Sequence, residues 1–219
     1  MTRKELVKNH ELTEKFLEAA DRHMAELGYT EHGKRHATVV SENAEKILKE
    51  LDYPENYQEL AWISGYLHDI GNLISRETHG STSAILAKDI LDDLNFSEDE
   101  IAIVMQAIGN HEEEIGDPTH PVSAALIIGD KSDVHRSRVR NPDEIKFDIH
   151  DRVNYAVIES DLNVEKSTRD ISLILKIDEK ISSPFEYFEI FLSRMLICRR
   201  SANVLKGRFH IFINDVRML

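Results

Sequence analysis

Apolar residues recur at helical spacing through most of the first 140 positions, three or four residues apart. Ser97 with Glu100 is a capping-box pair, Pro121 is typical of a first helical turn, and Gly28 marks a helix end. The predicted helices run over residues 3–27, from about Glu31, from about Asn56 to Asp69, from His79, from Ser97 and from Pro121. The pattern predicts an all-helical N-terminal part.

The pattern changes at Asn141–Pro142, which we take as a domain boundary. Residues 153–162 and 170–177 alternate between apolar and polar positions and predict a β-hairpin. The pair Ser183 and Glu186 predicts the start of a helix that extends to about Leu205. Residues 209–213 predict a short strand. We therefore expect residues 1–140 to form a helical domain. Residues 141–219 are expected to form an α+β module (β-hairpin, helix, short strand) with a structural or dimerising role.

The net charge of −13 lies almost wholly in the first 140 residues. An acidic surface repels the backbone of DNA and RNA, so we expect no polymeric nucleic acid as substrate. Small phosphorylated molecules remain candidates. The single cysteine, Cys198, has no partner for an internal disulfide. Since the sequence shows no long apolar run, we expect no membrane span and a cytoplasmic location.

Several polar residues occupy positions where the helical pattern predicts burial. His36 precedes Val40 and Ala44 in steps of four, and His68–Asp69 ends an apolar stretch. His32 and Arg35 lie nearby without this alignment and are expected at the rim. Buried imidazoles and carboxylates need partners, and a shared metal ion is one. The candidate ligands are His36, His68, Asp69, His79, His111 and Asp130.

The order His, His-Asp, His, His, Asp over residues 30–135 resembles the HD-domain superfamily of metal-dependent phosphohydrolases, in its binuclear form. This resemblance implies a mainly α fold, an HD-domain helical bundle to which the C-terminal α+β part is an appendage. It also implies one ion on His36, His68 and Asp130 and a second on His79 and His111. Asp69 would bridge the two ions and serve in catalysis. Without His79 and His111 the remaining four residues would match the one-metal form.

Imidazole nitrogens with carboxylate oxygens suit divalent transition metals, so we expect Mn, Fe, Co, Ni or Zn. In the binuclear form a bridging hydroxide attacks the phosphorus while the ions hold the phosphate oxygens. Substrate phosphate also needs donors from the protein. The candidate substrate contacts are Lys131, Arg136, Arg138, His120 and Asn72. For the basic residues a solvated helix end is the competing interpretation, and we favour it for Arg140.

The resemblance leaves three functions open. We favour an enzyme, a phosphomonoesterase or phosphodiesterase acting on a small phosphate ester such as a nucleotide or dinucleoside polyphosphate. A di-iron oxygenase of the same superfamily and a non-catalytic nucleotide sensor are the alternatives. Asn72 follows Gly71 where the cyclic-dinucleotide branch usually has lysine, and that branch's Gly-Tyr-Pro signature does not occur. Cyclic di-GMP hydrolysis is therefore not predicted.

Overall fold

The computed structural model describes residues 1–144 and 148–219. The predicted first helix is wrong in one respect, because it is two helices, α1 (Arg3–Lys8) and α2 (Glu11–Glu26). His10 has extended backbone and is the N-cap residue of α2, and Asn9 is a weak helix former. The break places Val7 in the core with no exposed surface, whereas Leu6 is 36% exposed. Gly28 follows α2 with a φ of 83°, a conformation that favours glycine.

The remaining helices of the N-terminal part agree closely with the sequence pattern. They are α3 (Lys34–Glu50), α4 (Glu55–Leu67), a 3₁₀ turn (Ile70–Leu73), α5 (His79–Asp93), α6 (Glu98–Gly109) and α7 (Pro121–Lys131). The capping box at Ser97 and Glu100 is confirmed, and Pro121 is the first residue of α7. The helix predicted to end at Asp69 ends at Leu67, so His68 and Asp69 lie in a turn.

Close approach of α3 and α4 determines how the candidate ligands meet. A Cβ atom on Gly65 of α4 would lie 2.7 Å from the Cα of Ser41 on α3, which is too close for any side chain. Gly129 of α7 approaches α3 in the same way, 2.9 Å from the Val40 carbonyl oxygen. Because α3 contacts both α4 and α7, the histidine and aspartate positions on these three helices face one region.

Among its described residues, the C-terminal part has a 3₁₀ turn (Pro142–Glu144), two α-helices and a small sheet. The α-helices and strands are α8 (Ile149–Ala156), β1 (Val157–Glu165), β2 (Asp170–Ile177), α9 (Pro184–Val204), β3 (Arg208–Ile213) and β4 (Val216–Arg217). The sheet order is β1-β2-β3-β4, with β1–β2 and β3–β4 antiparallel and β2–β3 parallel. The hairpin, the long helix and the short strand agree with the prediction.

Two details of the C-terminal prediction differ from the structure. Residues 153–156 belong to α8 and not to the first strand, because the Asp148 carboxylate caps that helix at the His150 and Asp151 amides. Val153 and Ala156 are buried on one face of α8, as helical spacing requires. The two-residue strand β4 was not predicted. In the described residues the fold is mainly α, with this four-stranded sheet, and the predicted fold class is confirmed.

One continuous hydrophobic core includes residues from both parts of the chain, among them Ile47, Leu126, Phe191 and Ile211. Helix α9 packs against α7, which places C-terminal side chains beside the candidate ligands. The boundary at residues 140/141 and the possible homodimer stay predictions. Across the described ranges, no helix combines the length and apolar character needed to cross a bilayer.

Candidate metal centre

Five helices of the N-terminal part bring the six candidate ligands together. His36 lies in the first turn of α3, His79 begins α5 and Asp130 lies in the last turn of α7. His68 and Asp69 follow α4, and His111 follows α6. Each residue is 9% exposed or less. The expectation that they share an interior region is therefore met in the geometry, while their role as ligands stays a prediction.

Three of the imidazoles are oriented by their own backbone. In each, Nδ1 lies within hydrogen-bond distance of the carbonyl oxygen three residues earlier in the chain. The distances are 2.8 Å for His68 to Gly65, 2.8 Å for His79 to Arg76 and 2.6 Å for His111 to Ile108. A carbonyl only accepts, so Nδ1 carries the proton and donates it. The Nε2 atom of each neutral ring is then an unprotonated ligand atom.

His36 is oriented by a carboxylate instead. Its Nδ1 lies 2.7 Å from Oδ2 of Asp133, and both side chains are buried. Asp133 also accepts from the Arg35 guanidinium at 2.6 Å. A histidine that donates Nδ1–H to a carboxylate presents a more basic Nε2, an arrangement frequent behind metal-ligating histidines.

The four Nε2 atoms converge on the two aspartates. Those of His36 and His68 lie 3.4–3.7 Å from the nearest oxygens of Asp69 and Asp130. Both are buried and have no hydrogen-bond partner among the described residues. The Nε2 atoms of His79 and His111 lie 3.0 Å apart. With Nδ1 protonated in both rings, two lone pairs face each other, which a cation between them would stabilise. The donor set thus fits transition-metal ions.

Two groups of three residues place ligand atoms within 4.8 Å of one another. They are His36, His68 and Asp130, and His68, Asp69 and His111. The first group is the set expected for one ion. The second contains His68 where the resemblance implied His79, although His79 Nε2 lies 3.4 Å from Oδ1 of Asp69. The number of ions and the division of ligands between them stay predictions.

The electrostatics keep the carboxylates charged. Burial alone would raise the pKa of Asp69, but the surrounding imidazoles, His68 first, hold it well below its ordinary value. Burial opposes the shift at Asp130 also, and Lys131 with the imidazoles lowers its pKa. Burial lowers the pKa of His111 and of His79. Burial would also lower the pKa of His68, but Asp69 and Asp130 raise it above its ordinary value. Ionised carboxylates and unprotonated imidazoles are the states that coordinate a cation, so a cation would compete with a proton at His68.

Asn72 lies directly behind Asp69. Its Nδ2 donates to Oδ1 of Asp69 at 2.9 Å and to the Asp69 carbonyl at 3.1 Å. Asn72 is fully buried, and its Oδ1 accepts from Arg76 at 3.4 Å. These contacts position the Asp69 carboxylate, and the predicted contact of Asn72 with substrate stays a prediction.

Lys131 belongs to a chain of charges that ends in the C-terminal part. Its Nζ lies 2.7 Å from Oδ2 of Asp130 and 2.8 Å from Oε2 of Glu113. Arg194 of α9 donates from Nε to Oε1 of Glu113 at 3.2 Å. Burial opposes the charged form of Glu113, but Lys131 and Arg194 lower its pKa to about 2. Lys131 therefore lies at the site, 6% exposed and held between two carboxylates.

The other predicted substrate contacts differ in location. Arg138 is buried and donates to the carbonyls of Glu31 and Asp133. The Arg136 guanidinium lies 5.2 Å above the Tyr155 ring. His120 accepts from the Val122 amide and caps α7, 4.9 Å from the Tyr57 ring.

Two cavities adjoin the cluster. The smaller, of about 20 Å³, is lined by Asp69, His79, His111, Asp130 and Lys131. The larger, of about 410 Å³, is lined by residues that include Tyr29, Asn154 and Phe191. Both cavities share the lining residues His32, Arg76, Arg138 and Arg194. Arg136 and His120 line neither cavity, and Arg140 pairs with Asp21.

Sequence reasoning missed four residues of this region. His32, expected at the rim, is 9% exposed and lines both cavities. Arg76 precedes His79 by three positions, a spacing that could have indicated it. Asp133 follows Asp130 by three and could have been found in the same way. Arg194 is distant in the chain, and no local pattern connects it to the cluster.

Comparison with known proteins agrees with this geometry. The sequence profile of the HD domain matches residues 33–154, more than half of the chain. The chain is also 34% identical over 170 residues to an uncharacterized protein, MJ1020, of Methanocaldococcus jannaschii. That alignment covers 67% of this chain and 64% of the relative. With the histidine–aspartate cluster in place, the chain belongs to the HD-domain superfamily of metal-dependent phosphohydrolases.

Proposed function

We propose that this protein is a metal-dependent phosphohydrolase that cleaves a small phosphate ester of the nucleotide or dinucleoside polyphosphate class. The observation that carries the proposal is the convergence of four imidazole Nε2 atoms and two aspartate carboxylates beside cavities lined by arginines. Membership of the HD-domain superfamily supports the same reaction class. A cytoplasmic location remains part of the proposal.

In this proposal His36, His68 and Asp130 hold one divalent transition-metal ion. His79 and His111 hold the second, with Asp69 between them. Such ions, when bound, lower the pKa of a coordinated water and balance charge on the phosphate oxygens. The backbone carbonyls behind the imidazoles and the amide of Asn72 behind Asp69 keep these ligand atoms in place. Asp69 is then the catalytic carboxylate.

Although the N-terminal part is acidic overall, the protein has cationic side chains at the cluster that can bind a phosphate group. Lys131 and three arginines line the cavities at the cluster. Arg138 directs its donors at backbone carbonyls, so its contribution is mainly charge. Arg76 lies within ion-pair distance of no carboxylate in the described part of the chain. An anionic group is therefore the substrate feature that this region favours.

The test is hydrolysis of a panel of phosphate esters by protein reconstituted separately with Mn, Fe, Co, Ni or Zn. Release of phosphate by wild type, and its loss in Asp69→Asn, supports the proposal. Asp89→Asn, which alters an exposed residue of α5, is the control and should retain activity. Oxygen uptake without phosphate release, in the iron-loaded form, would support the oxygenase instead. Tight nucleotide binding without turnover in any metal form would support the sensor.

A further inference from the structure

The cavity of about 410 Å³ lies on the side of the metal centre where the C-terminal part packs. Its volume falls within the range of about 300–1,000 Å³ typical of small-molecule sites. His32, Arg76, Arg138 and Arg194 line both this cavity and the small cavity at the ligand cluster. A molecule whose reacting group lies among the ligands can therefore extend past these residues into the larger space.

Two of the shared arginines keep donors for an anion. Arg194 uses Nε for Glu113, and its guanidinium lies 4.4 Å above the Phe191 ring. Arg76 lies 5.8 Å above the Tyr29 ring, and its NH1 lies 3.3–3.4 Å from Asn72 and His79. A guanidinium over an aromatic face is held in orientation while its in-plane N–H groups stay able to donate.

The remainder of the cavity has a different character. Asp148, His150 and Asn154 of the α8 region supply polar surface. Leu27, Tyr29 and Phe191 supply apolar surface. The cavity thus has guanidinium groups where it meets the metal centre and the Asp148 carboxylate at the start of α8. Hydroxyl groups donate well to a carboxylate, whereas a further phosphate would be repelled by it.

We propose that this cavity binds the organic part of a phosphate monoester, a hydroxyl-bearing group of nucleoside size, with the phosphate between Arg76 and Arg194. The inference rests on the proposed function and narrows it to nucleoside monophosphates over polyphosphates. In the reaction the ester P–O bond breaks and water oxygen bonds to phosphorus. The leaving oxygen takes a proton from that water, giving a nucleoside and inorganic phosphate. Arg194 makes the C-terminal part a component of the active site.

The experiment measures binding of adenosine monophosphate and adenosine diphosphate to the metal-loaded protein with Asp69 in place. Binding is measured by competition with p-nitrophenyl phosphate hydrolysis if that ester is hydrolysed, and by calorimetry if it is not. We expect Arg194→Met to weaken monophosphate binding about tenfold or more, because a charge-assisted hydrogen bond is lost. Arg199→Met, an exposed arginine on the same helix, is the control. Metal content is measured in each variant. If Arg194→Met changes the metal content, Arg194→Lys is used in its place.

Asp148→Asn tests the other end of the cavity. Asparagine caps a helix as well as aspartate does, so the variant keeps the start of α8 and removes one negative charge. We expect the preference for monophosphate over diphosphate to fall by about threefold or more. Ribose 5-phosphate, which has the hydroxyls without a base, should bind more weakly than adenosine monophosphate.

The outcomes separate the two proposals. If p-nitrophenyl phosphate is hydrolysed but Arg194→Met binds adenosine monophosphate like wild type, the cavity assignment is wrong and the phosphohydrolase stands. If the monophosphate binds through Arg194 but no ester is hydrolysed, the proposed phosphohydrolase activity is wrong and the assignment of the cavity as a monophosphate site is retained. Tighter binding of the diphosphate than of the monophosphate, or equal binding of ribose 5-phosphate, would overturn the substrate class.

Discussion

The Nδ1 atom of His36 donates to Oδ2 of Asp133 at 2.7 Å, and neither side chain is more than 4% exposed. This carboxylate sets the tautomer of His36, whereas the other three candidate ligand histidines each donate Nδ1–H to a backbone carbonyl. Asp133 also accepts from Arg35 and lies near Arg138, so two guanidinium groups balance its charge. The position of His36 Nε2 therefore depends on a residue that is not itself a candidate ligand.

Substitution Asp133→Asn should weaken metal binding about 10- to 100-fold, the usual effect of removing the group behind a ligating histidine. Metal affinity measured by competition with a chromophoric chelator checks this. Arg35→Met is the matched control, since it removes another partner of Asp133 and leaves the hydrogen bond to His36 in place. Equal affinities in wild type and Asp133→Asn would contradict the orienting role.

Elemental analysis of protein purified without chelators or a histidine tag tests the number of ions. We expect close to two transition-metal ions per chain in wild type. His79→Ala and His111→Ala should each lower the content towards one, because they remove ligands of the same ion. A content of one ion per chain, unchanged in both variants, would leave only the site of His36, His68, Asp69 and Asp130.

Much of the N-terminal fold could be predicted because local patterns determine it. The helical stripes, the capping box at Ser97 and the proline at the start of α7 all depend on neighbours within four residues. The same stripes placed His36 and Asp130 on buried faces, and polar residues at such positions are what predicted the candidate ligand cluster. The errors at Asn9 and at residues 153–156 have local causes as well, because Asn9 is a weak helix former and Asp148 caps α8.

The residues that line the cavities could not be predicted in the same way. Arg194 reaches the cluster only because α9 packs on α7, a contact that no spacing in the sequence reveals. Conversely, Arg136 lies close to Asp130 in the chain but lines neither cavity. Position relative to a motif is therefore a poor guide to which side chains line the cavities once the chain has left the helix that carries the motif.

The crossing of α3 and α4 predicts a large effect from one methyl group. Gly65→Ala would place a Cβ 2.7 Å from the backbone of Ser41 and force apart the helices that carry His36 and His68. We expect a loss of about 1–3 kcal/mol in the free energy of unfolding, typical of overpacking. Chemical denaturation followed by circular dichroism measures it, and metal affinity should fall in the same variant.

Gly109→Ala is the matched control for that substitution. Its Cβ would meet only the Cβ of Ala84, at an ordinary 3.9 Å, and Gly109 lies in the last turn of α6. Alanine favours helix over glycine by up to about 1 kcal/mol, so stability should stay equal or rise. Equal loss in both alanine variants would show that the approach of α3 to α4 is not the cause.

Glu113 connects the ligand cluster to the C-terminal part through Lys131 and Arg194. Its pKa in the folded protein is about 2, below the value of 4.5 for an ordinary glutamate. A depressed carboxyl pKa stabilises the folded state above pH 4.5, and this contribution is lost as the pH falls from about 4.5 to about 2. The stabilisation arises from Lys131 in the N-terminal part and Arg194 in the C-terminal part.

Glu113→Gln should therefore lower the free energy of unfolding at pH 7 by roughly 1–2 kcal/mol, a value reduced because the side chain is 21% exposed. The deficit relative to wild type should shrink as the pH falls from 5 to 3, since protonation removes the same charge from Glu113. Urea denaturation of metal-free protein across this range measures it. Glu114→Gln, an exposed neighbour, should match wild type throughout. A deficit that stays constant with pH would show that Glu113 acts through packing and not through its charge.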